Sequence, residues 1–584
     1  MAKLEINGIN IPLGESRKLV FSRSAYSESD WLTKDIGISE RVRVPETNIT
    51  NNLFGNPSNV NSQSNTFEKF SSFNYKEEDN IVYSGAAILL GVNDSKEYEL
   101  QLLDSSKALF DSMKRNLNRL NVDSFDFIFN SAAYSSLKIL TDSIWLWAAA
   151  SMHKNKTLDK NILSGNLAFS RPFFSIKKLI ELIFSENKWA SNLAQSVEFL
   201  DKLVMSSNSE QFFFTSYDKK FSSELLISGS QFVNLSSPDF LKTDTIEGNN
   251  LKLNYNSKIR LRGNISATSD FIIKINGLSS ASTDSQIQEF VINKGTDFYD
   301  LTSNDFETED LTYNINIEII GNGLINLTDF SIYTIIEEQN FGNLSLANFT
   351  DFKVKSYDNL PEISQLDLFK ETLVFVAGFF TTDSFRKELN VNSLKEPSRL
   401  SALDWSKKFV EDSDSLDSLK NYGQINYFSF DNDKEKPLNL GRGRFEINNA
   451  TLKDTHEAFK SMFAASSEVL INDTMIDLNV YSDIERTNEL NTIIGYYESI
   501  STYTVARFDQ LNGNVVMTNY YQNFVNAIKK GQILTANFNL NKSDFFLFKF
   551  NRMIYLEQKK ATYYVISLSN YAEGNQTEVI LLKS

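Results

Sequence analysis

Short segments in which polar and apolar residues alternate recur along the whole chain, and they constrain its fold more than any other feature. Residues 41–44 (Arg-Val-Arg-Val), 97–103 and 313–319 all show this period of two. Successive side chains of a strand point to opposite faces of a sheet, so the pattern predicts strands with one buried face. Hydrophobic residues make up 41% of the 584 positions, enough for several cores. The sequence therefore predicts a multi-domain, mainly β protein with α+β parts.

Residues 1–120 carry strand patterns that end in one helix signal. The segment 41–44 is closed by Pro45, and the apolar run 84–91 lies between glycines. A third strand pattern occupies 97–103, and a helix is predicted over 106–119. A small antiparallel β-barrel closed by a helix accounts for these elements.

Residues 121–225 have a different, mixed character. Helical spacing is visible in 134–151 and in 175–205, so both segments are predicted to be helical. The clearest amphipathic face begins at the polar Ser175. The apolar residues of this face are Ile176, Leu179, Ile180, Ile183 and Phe184. We interpret the face as core and the region as a helical or mixed insert.

Residues 226–345 are predicted to form a separate β-sandwich with jelly-roll-like character. Alternation over 258–262 and 313–319 supplies strands without an intervening helix. The Gly-Asn-Gly sequence at 321–323 predicts a turn, after which a strand resumes at 330–335. Repeated strands at this spacing are typical of two packed antiparallel sheets.

Two further modules are predicted, an α+β module at 346–435 and a C-terminal β-rich barrel domain at 436–584. In the first, a helix opens near residue 360 and ends near Gly378. The predicted strands of the two modules are 379–382, 387–394, 548–556, 563–568 and 578–582.

Composition excludes several kinds of chemistry. The chain has no cysteine, so disulfides, thiolate metal sites and cysteine nucleophiles are absent. Its two histidines, His153 and His456, lie far apart and belong to no ligand motif. We therefore predict no metal site and no cofactor. The net charge is −16, and basic runs are isolated pairs such as Lys177-Lys178, so stable nucleic-acid binding is not expected.

Two apolar stretches, 144–150 and 366–380, are the candidates for membrane segments. The run 144–150 is much shorter than a spanning helix, which needs about 20 residues. The run 366–380 carries Asp367, Lys370 and Glu371. We expect no membrane span. The segment 1–16 has no apolar core of the signal-peptide type, so release by cell lysis is expected.

No motif in the chain predicts catalysis. Residues 431–435 (Asp-Asn-Asp-Lys-Glu) resemble the start of a calcium loop, but Lys436 and Pro437 follow where the turn glycine is required. Gly441 and Gly443 are not followed by a helix signal, which favours a bulge or a close backbone approach over a phosphate loop. We predict that the chain is not an enzyme. A pair of glycosidase carboxylates stays open as an alternative, because acidic residues are numerous.

A set of short motifs occurs in a defined order at the two ends of the chain and in region 359–433. They are Leu4-Glu-Ile-Asn-Gly-Ile-Asn-Ile-Pro-Leu, Arg43-Val-Pro-Glu-Thr, Asn51-Asn-Leu-Phe-Gly, Gly85-Ala-Ala-Ile-Leu-Leu-Gly, Asn359-Leu-Pro-Glu-Ile-Ser-Gln-Leu-Asp-Leu-Phe, Asp404-Trp-Ser, Asn426-Tyr-Phe-Ser-Phe-Asp-Asn-Asp-Lys, Met553-Ile-Tyr-Leu, Tyr563-Tyr-Val-Ile-Ser-Leu-Ser-Asn-Tyr and Thr577-Glu-Val-Ile-Leu-Leu-Lys. In this order the motifs resemble tail hub and baseplate proteins, the distal tail tip proteins of phages and prophages of Bacteroidota. The helical insert and the sandwich lie outside the resemblance.

The resemblance implies a structural protein of the virion with tube-like β-barrels at both ends and an α+β hub module. Such hubs form an oligomeric ring at the distal tail, with a trimer as our first expectation and a hexamer as the second. The implied partners are the tail tube, the tape measure and spike or receptor-binding proteins, with assembly in the host cytoplasm.

A second class of function also stays open. The chain would then be a glycan- or receptor-binding tail protein that uses the central β-sandwich. An exposed aromatic platform would support this alternative, and Tyr299 and Tyr313 are its candidates.

Overall fold

The computed structural model of the chain describes residues 2–11, 21–24, 39–55, 70–77, 80–93, 97–128, 144–148, 171–193, 200–206, 213–236, 245–247, 249–253, 256–279, 285–306, 313–337, 352–383, 386–393, 401–418, 422–431, 440–465, 467–471, 475–479, 494–500, 503–546, 548–572 and 574–584. Strands account for most of the regular structure in these residues. The prediction of a mainly β protein with α+β parts is therefore confirmed.

The N-terminal part forms an antiparallel sheet whose alternating residues bury one face. In spatial order its described strands are Ile9–Ile11, Ala2–Ile6, Phe70–Glu77, Asn80–Val92, Glu97–Asp104 and Ser39–Pro45. Helices Asn48–Phe54 and Ser105–Met113 accompany it, and a 3₁₀ turn follows at Leu117–Arg119. The predicted strands at 41–44, 84–91 and 97–103 are confirmed. Within the described residues no ladder joins the two outermost strands, so the sheet is open there.

A second sheet combines the insert with strands from near the C-terminus. Its order is Trp145–Ala148, Arg171–Ser175, Leu203–Ser206, Ile494–Ile500 and Tyr503–Arg507. The predicted helix at 134–151 is wrong at 145–148, and its other residues except 144 lie outside the described part. Trp145 is buried 4.1 Å from the Phe174 ring, and its Nε1 donates to Ser356 Oγ at 2.8 Å. Pairing across the sheet thus overrides the local helical spacing.

The predicted helix at 175–205 is correct over 176–186 and wrong at 190–191 and 203–206, and its residues 194–199 lie outside the described part. Ser175 caps a helix at Ile176–Glu186, and the five predicted apolar residues are buried. The helix ends before Lys188, whose φ of 56° is left-handed. Short strands at Ala190–Ser191 and Leu203–Ser206 and a 3₁₀ turn at Leu200–Lys202 follow.

The central sandwich has a hydrophobic core of its own, separate from that of the rest of the chain. Two long strands, Asp218–Phe232 and Tyr313–Glu337, pair with each other and run through both of its halves. The first half adds Thr245–Glu247, Asn250–Leu253, Phe271–Ser279 and Ser285–Ile292, and the second adds Lys258–Ala267 and Gly295–Thr302. Short strand Phe213–Phe214 pairs with the end of Tyr313–Glu337 and leads into the rest of the chain.

The predicted turn at 321–323 is wrong, because the strand continues through it. Gly321 lies against Phe271, where an added Cβ would approach the ring Cδ1 to 2.5 Å. Gly323 has a φ of 140°, which side chains other than glycine rarely adopt. The two glycines therefore let the strand bend from one half of the sandwich into the other.

The α+β region follows the sequence prediction closely. Ser364 caps helix Gln365–Phe375 by accepting a hydrogen bond from Asp367 N at 3.0 Å. Strands Gly378–Asp383 and Glu388–Ser393 follow at the two predicted positions, and they pair antiparallel. Strand Lys353–Val354 and a short helix at Ser356–Asn359 directly precede this region in sequence, and Lys353–Val354 pairs antiparallel with the distant strand Phe127–Ile128.

The C-terminal sheet is curved, and one segment bridges its edges. Its order is Leu403–Asp404, Ile554–Leu556, Ala561–Tyr571, Thr577–Lys583, Gln532–Phe538 and Ser415–Ser418. Trp405 N donates to Tyr555 O on one edge, and Val410 N donates to Asn537 O on the other. The predicted strands at 563–568 and 578–582 are confirmed. The predicted strand at 548–556 is limited to 554–556, because Phe548 turns inward to pack on Trp405.

Three helices near the C-terminus, Gly513–Tyr520, Gln522–Lys530 and Lys542–Phe546, have no counterpart in the sequence prediction. The remaining strands are Gly423–Phe430, Gly443–Glu446, Lys453–Ser461, Ser467–Ile471 and Met475–Asn479, and 3₁₀ turns occur at Asp123–Phe125, Asp509–Leu511 and Glu557–Lys559.

The two ends of the chain belong to one body. Strand Phe21–Ser24 pairs antiparallel with Ala561–Tyr571, so an N-terminal segment extends the C-terminal sheet. A single hydrophobic core reaches from Leu4 to Leu582 and leaves out the sandwich. In the described residues, no helix is both long and apolar enough to cross a membrane.

Candidate functional site

The residues singled out in the sequence do not come together. His456 lies half-buried on strand Lys453–Ser461, edge-on to Tyr422 with ring centres 6.1 Å apart, and desolvation lowers its pKa. His153 lies outside the described residues. Asp431 pairs with Lys460 at 3.0 Å, and 432–435 also lie outside the described part. Within the ranges described, no cluster of three histidine or acidic residues is placed to hold a metal ion.

The glycine pair at 441 and 443 allows the close backbone approach that the sequence predicts. Gly513 N donates to Gly441 O at 2.7 Å, and a Cβ on Gly443 would come within 2.2 Å of Gly513 C. The two glycines therefore allow the start of helix Gly513–Tyr520 to pack directly against strand Gly443–Glu446.

The two candidate platform tyrosines serve the sandwich core. Tyr313 is buried and packs on Phe306, with ring centres 5.6 Å apart. Tyr299 packs against the same core, and its hydroxyl accepts a hydrogen bond from Asn293 N at 3.2 Å. Tyr313 is buried and Tyr299 is partly buried, so neither is a well-exposed aromatic platform.

The main concentration of buried charge lies where the sandwich meets the body, and we call it the junction. Its sandwich residues are Asp218, Lys220, Arg260, Arg262, Phe298, Asp300 and Tyr333, and its body residues are Asn118, Arg119, Asp123, Asp126, Lys353, Lys355, Tyr357 and Asp358. Ionic groups held away from water are costly unless they are paired, so the pairing pattern is the informative feature.

Arg260 is the centre of the first group. Its Nε and Nη2 donate to the two carboxylate oxygens of Asp300 at 2.6 and 3.0 Å, and its Nη1 donates to Asp358 at 2.8 Å. Tyr333 also donates to Asp358, at 3.1 Å, and Tyr357 donates to Asp300. Burial raises the pKa of Asp358 above its ordinary value, although Arg260 and Lys355 oppose the shift. One arginine thus joins a carboxylate of the sandwich to one of the body.

Arg262, two residues further along the same strand, forms the second group. Its guanidinium lies 3.4 Å from the centre of the Tyr357 ring and donates to Asn118 O at 3.1 Å. A guanidinium over an aromatic ring combines charge, planarity and several donors in a way that lysine does not reproduce. On the same side, Arg119 lies 4.5 Å from the ring centre of Phe298.

Two lysines and two aspartates form the third group. Lys355 contacts Asp218 at 2.9 Å and Asp126 at 3.6 Å, and Lys353 contacts the same carboxylates at 2.6 and 3.9 Å. Burial raises the pKa of Asp126 to about 6, with Lys355 opposing the shift. The pKa of Lys355 is also raised, because Asp218 and Asp126 outweigh the effect of its burial.

A further buried acid lies inside the body. Glu371, on helix Gln365–Phe375, accepts hydrogen bonds from Ser461 Oγ at 2.9 Å and Met462 N at 3.0 Å. Burial raises its pKa to about 7, while these two hydrogen bonds oppose the shift. Glu371 was noted in the sequence only as a charge that argues against a membrane segment.

The junction was missed in the sequence, although one signal was present. Arg260 and Arg262 occupy the polar positions of a strand whose alternate residues, Ile259 and Leu261, are fully buried. Such positions usually face water. The body covers them instead, and only the folded chain reveals it.

The outward face of the first half of the sandwich carries well-exposed side chains, among them Leu278, Ile287 and Val291. Cross-strand register defines its rows on strands Tyr313–Glu337, Phe271–Ser279 and Ser285–Ile292. They are Ile320–Ile272–Val291, Glu318–Lys274–Glu289, Asn316–Asn276–Ile287 and Asn314–Leu278. Asn276 Nδ2 donates to Asn316 Oδ1 at 2.9 Å, and Lys274 pairs with Glu289 at 3.4 Å. The face is mixed, and its central strand carries polar side chains in the middle and apolar side chains at both ends.

No family model matches the chain, and no curated protein matches it. Solved structures that match include the 43 kDa tail protein of prophage MuSo2 from Shewanella oneidensis, which is 6% identical over 100% of this chain and 97% of its own, with a TM-score of 0.34. Prophage tail protein gp18 from Listeria monocytogenes EGD-e is 8% identical over 54% and 94%, with a TM-score of 0.21. A chain in the structure of infectious bursal disease virus, Gx strain, is 13% identical over 24% of this chain and 35% of its own, with a TM-score of 0.15. Scores of this size identify no function.

Proposed function

We propose that the chain is a non-enzymatic structural subunit of a phage tail tip, a hub or baseplate protein that acts as one member of a ring. The proposal starts from the ordered motifs at residues 4–13, 359–369 and 563–571, which resemble hub proteins. The alternatives, a binding protein and a glycosidase, require a ligand or catalytic site to which the described residues lend no support.

The observation that carries the proposal is the joining of the two chain ends into one body. Strand Phe21–Ser24 extends the sheet that contains Ala561–Tyr571, and one core runs through both ends. A hub joins the tail tube to the parts beyond it, and a shared sheet and core would hold the two end modules of such a subunit in a fixed relation. The bridged C-terminal sheet is the element that we assign to a tube-like barrel.

The sandwich is proposed to act as a fixed arm on this body. It is entered and left through long strands, Asp218–Phe232 and Tyr313–Glu337, and the paired charges of the junction brace its base. A trimeric ring is our first expectation and a hexamer the second, with the tail tube, tape measure and spike or receptor-binding proteins as partners.

The decisive sample is the assembled particle. We would raise an antibody against the purified chain, label particles with gold and image them by electron microscopy. A label on the tail axis at the end distant from the capsid is the expected result. Native mass spectrometry of detergent-free tails would then count the copies in the ring.

Two results would contradict the proposal. A label on the capsid, or single copies scattered away from the tail axis, would exclude a hub. A positive assay for hydrolysis of host polysaccharide by the purified chain would replace the structural assignment with an enzymatic one.

A further inference from the structure

The sandwich carries a concentration of exposed apolar side chains that its own packing does not explain. Ten large apolar side chains are well exposed among the described residues, and five of them occupy outward positions on the sandwich. These five are Leu226, Phe232, Leu278, Ile287 and Val291. Scattered exposed apolar residues are ordinary, but a grouped set on one face marks a contact surface.

Register places four of the five on one flat sheet face. Leu278 is 50% exposed, Ile287 52% and Val291 64%, and all three lie on the paired strands Phe271–Ser279 and Ser285–Ile292. Phe232 lies at the opposite side, beside Glu318. On the central strand the two middle side chains, Lys274 and Asn276, are polar, whereas Phe232 and Ile287 lie at the two sides of these central rows.

We propose that this face binds the same face of a second copy of the chain. The outward residues of its central strand read Ile272, Lys274, Asn276 and Leu278, apolar at both ends and polar between. A two-fold axis that crosses the strands between Lys274 and Asn276 inverts this order. Ile272 then opposes Leu278 of the second copy, and Lys274 opposes Asn276.

Charge favours the same arrangement. The charged residues Glu318, Lys274 and Glu289 form one row, and the amides Asn316 and Asn276 lie in the next. The two-fold axis places the charged row of one copy over the amide row of the other, so no two like charges meet. A contact of this kind uses the same patch on both subunits and closes after two copies.

The size of the face predicts a weak dimer. Four strands about 4.8 Å apart and four rows about 7 Å apart give roughly 500 Å² per copy, or about 1,000 Å² in total, which is the lower end for a specific interface. We therefore expect pairing that depends on concentration. This inference is independent of the location of the chain in a particle, because it concerns the arm alone.

The axis places Ile287 of one copy opposite Glu289 of the other, and this relation provides the test. Ile287→Glu brings two carboxylates together, whereas Ile287→Lys brings an ammonium to a carboxylate. Both remove the same apolar side chain from the same exposed site. Sedimentation velocity over a concentration series should show dimers for the unmodified chain. We expect the dissociation constant of the dimer to be at least about tenfold higher in Ile287→Glu. In Ile287→Lys it should stay within about threefold of that of the unmodified chain.

Thr328→Glu is the matched control, since Thr328 is an exposed position on the outside of the other half of the sandwich. It adds the same negative charge and should leave the dissociation constant of the dimer unchanged. An unmodified chain that stays strictly monomeric over the whole concentration series would overturn the proposal. Equal weakening by the Glu and Lys variants, or none by either, would also overturn it. Circular dichroism of each variant confirms that the comparison is between folded proteins.

Discussion

The guanidinium of Arg262 lies 3.4 Å from the centre of the Tyr357 ring, and this contact joins the sandwich to the body. Arg262 belongs to strand Lys258–Ala267 of the sandwich, and Tyr357 to the short body helix Ser356–Asn359. The backbone carbonyl of Asn118 receives a hydrogen bond from the same guanidinium at 3.1 Å. The contact is therefore both apolar and charge-assisted, and it fixes the base of the arm from two sides.

The first prediction concerns this stacking. Arg262→Lys keeps the charge but loses the contact between the guanidinium and the Tyr357 ring, together with the fixed geometry of the guanidinium donors. We therefore expect the free energy of unfolding to fall by about 2 kcal/mol. Urea denaturation measures it. Arg43→Lys is the control, because Arg43 is exposed and 3.9 Å from Glu99, and should cost under about 0.5 kcal/mol. Equal effects of the two variants would argue against a bracing role for Arg262.

The second prediction concerns Lys355, which faces both Asp126 and Asp218. Lys355→Met leaves two buried carboxylates with less compensation, so we expect a loss of about 3 kcal/mol at pH 8. The loss should be smaller at pH 5, where protonation of Asp126 relieves the imbalance. Lys114→Met removes an exposed partner of Asp111 and should cost under about 1 kcal/mol. A loss for Lys355→Met that is independent of pH would contradict the electrostatic explanation.

The third prediction concerns Glu371, whose pKa burial raises to about 7 from 4.5. The native state binds the proton more tightly than the unfolded chain. Its contribution to stability is therefore fully present below about pH 4.5 and is lost as the pH rises through about 7. The unfolding free energy should fall between pH 5 and pH 8, by up to about 3 kcal/mol from this group.

Glu371→Gln should flatten that fall and be more stable than the unmodified chain at pH 8, since an amide carries no charge to bury. Denaturation curves at four pH values between 5 and 8 test this. The exposed Glu446→Gln variant is the control and should keep the original profile. If Glu371→Gln retains the full pH dependence, another group is responsible, and Asp126 is the next candidate because burial raises its pKa to about 6.

The fourth prediction concerns the glycine contact between Gly443 and Gly513. Gly443→Ala places a Cβ within 2.2 Å of backbone atoms that cannot move independently, so we expect a loss of about 3 kcal/mol. Gly91→Ala is the control, because nothing lies within 4 Å of its Cβ position, and it should be neutral or slightly stabilising. Thermal denaturation monitored by circular dichroism would distinguish the two. A tolerated Gly443→Ala would mean that helix Gly513–Tyr520 can shift without cost.

Much of the regular structure was determined by the sequence alone, for a simple reason. The apolar run at 84–91 predicts a strand, and the alternation at 97–103 and the apolar face of 176–184 also indicate which side of the element is buried. Local chemistry was also sufficient for helix Gln365–Phe375, where a serine cap precedes an apolar run. These features need no knowledge of distant residues.

The tertiary structure decided what those faces are buried against. Residues 145–148 became a strand because Phe174 and Ser356 lie across from Trp145, and Gly321 became a bend because Phe271 packs on it. The junction depends most on the fold, since Arg260 and Asp358 are 98 residues apart and occupy positions that look solvent-exposed in sequence. The periodicity of a sequence indicates which residues are buried and which face water. It does not indicate the partner of a buried charge, because that partner is distant in sequence and only folding brings the two together.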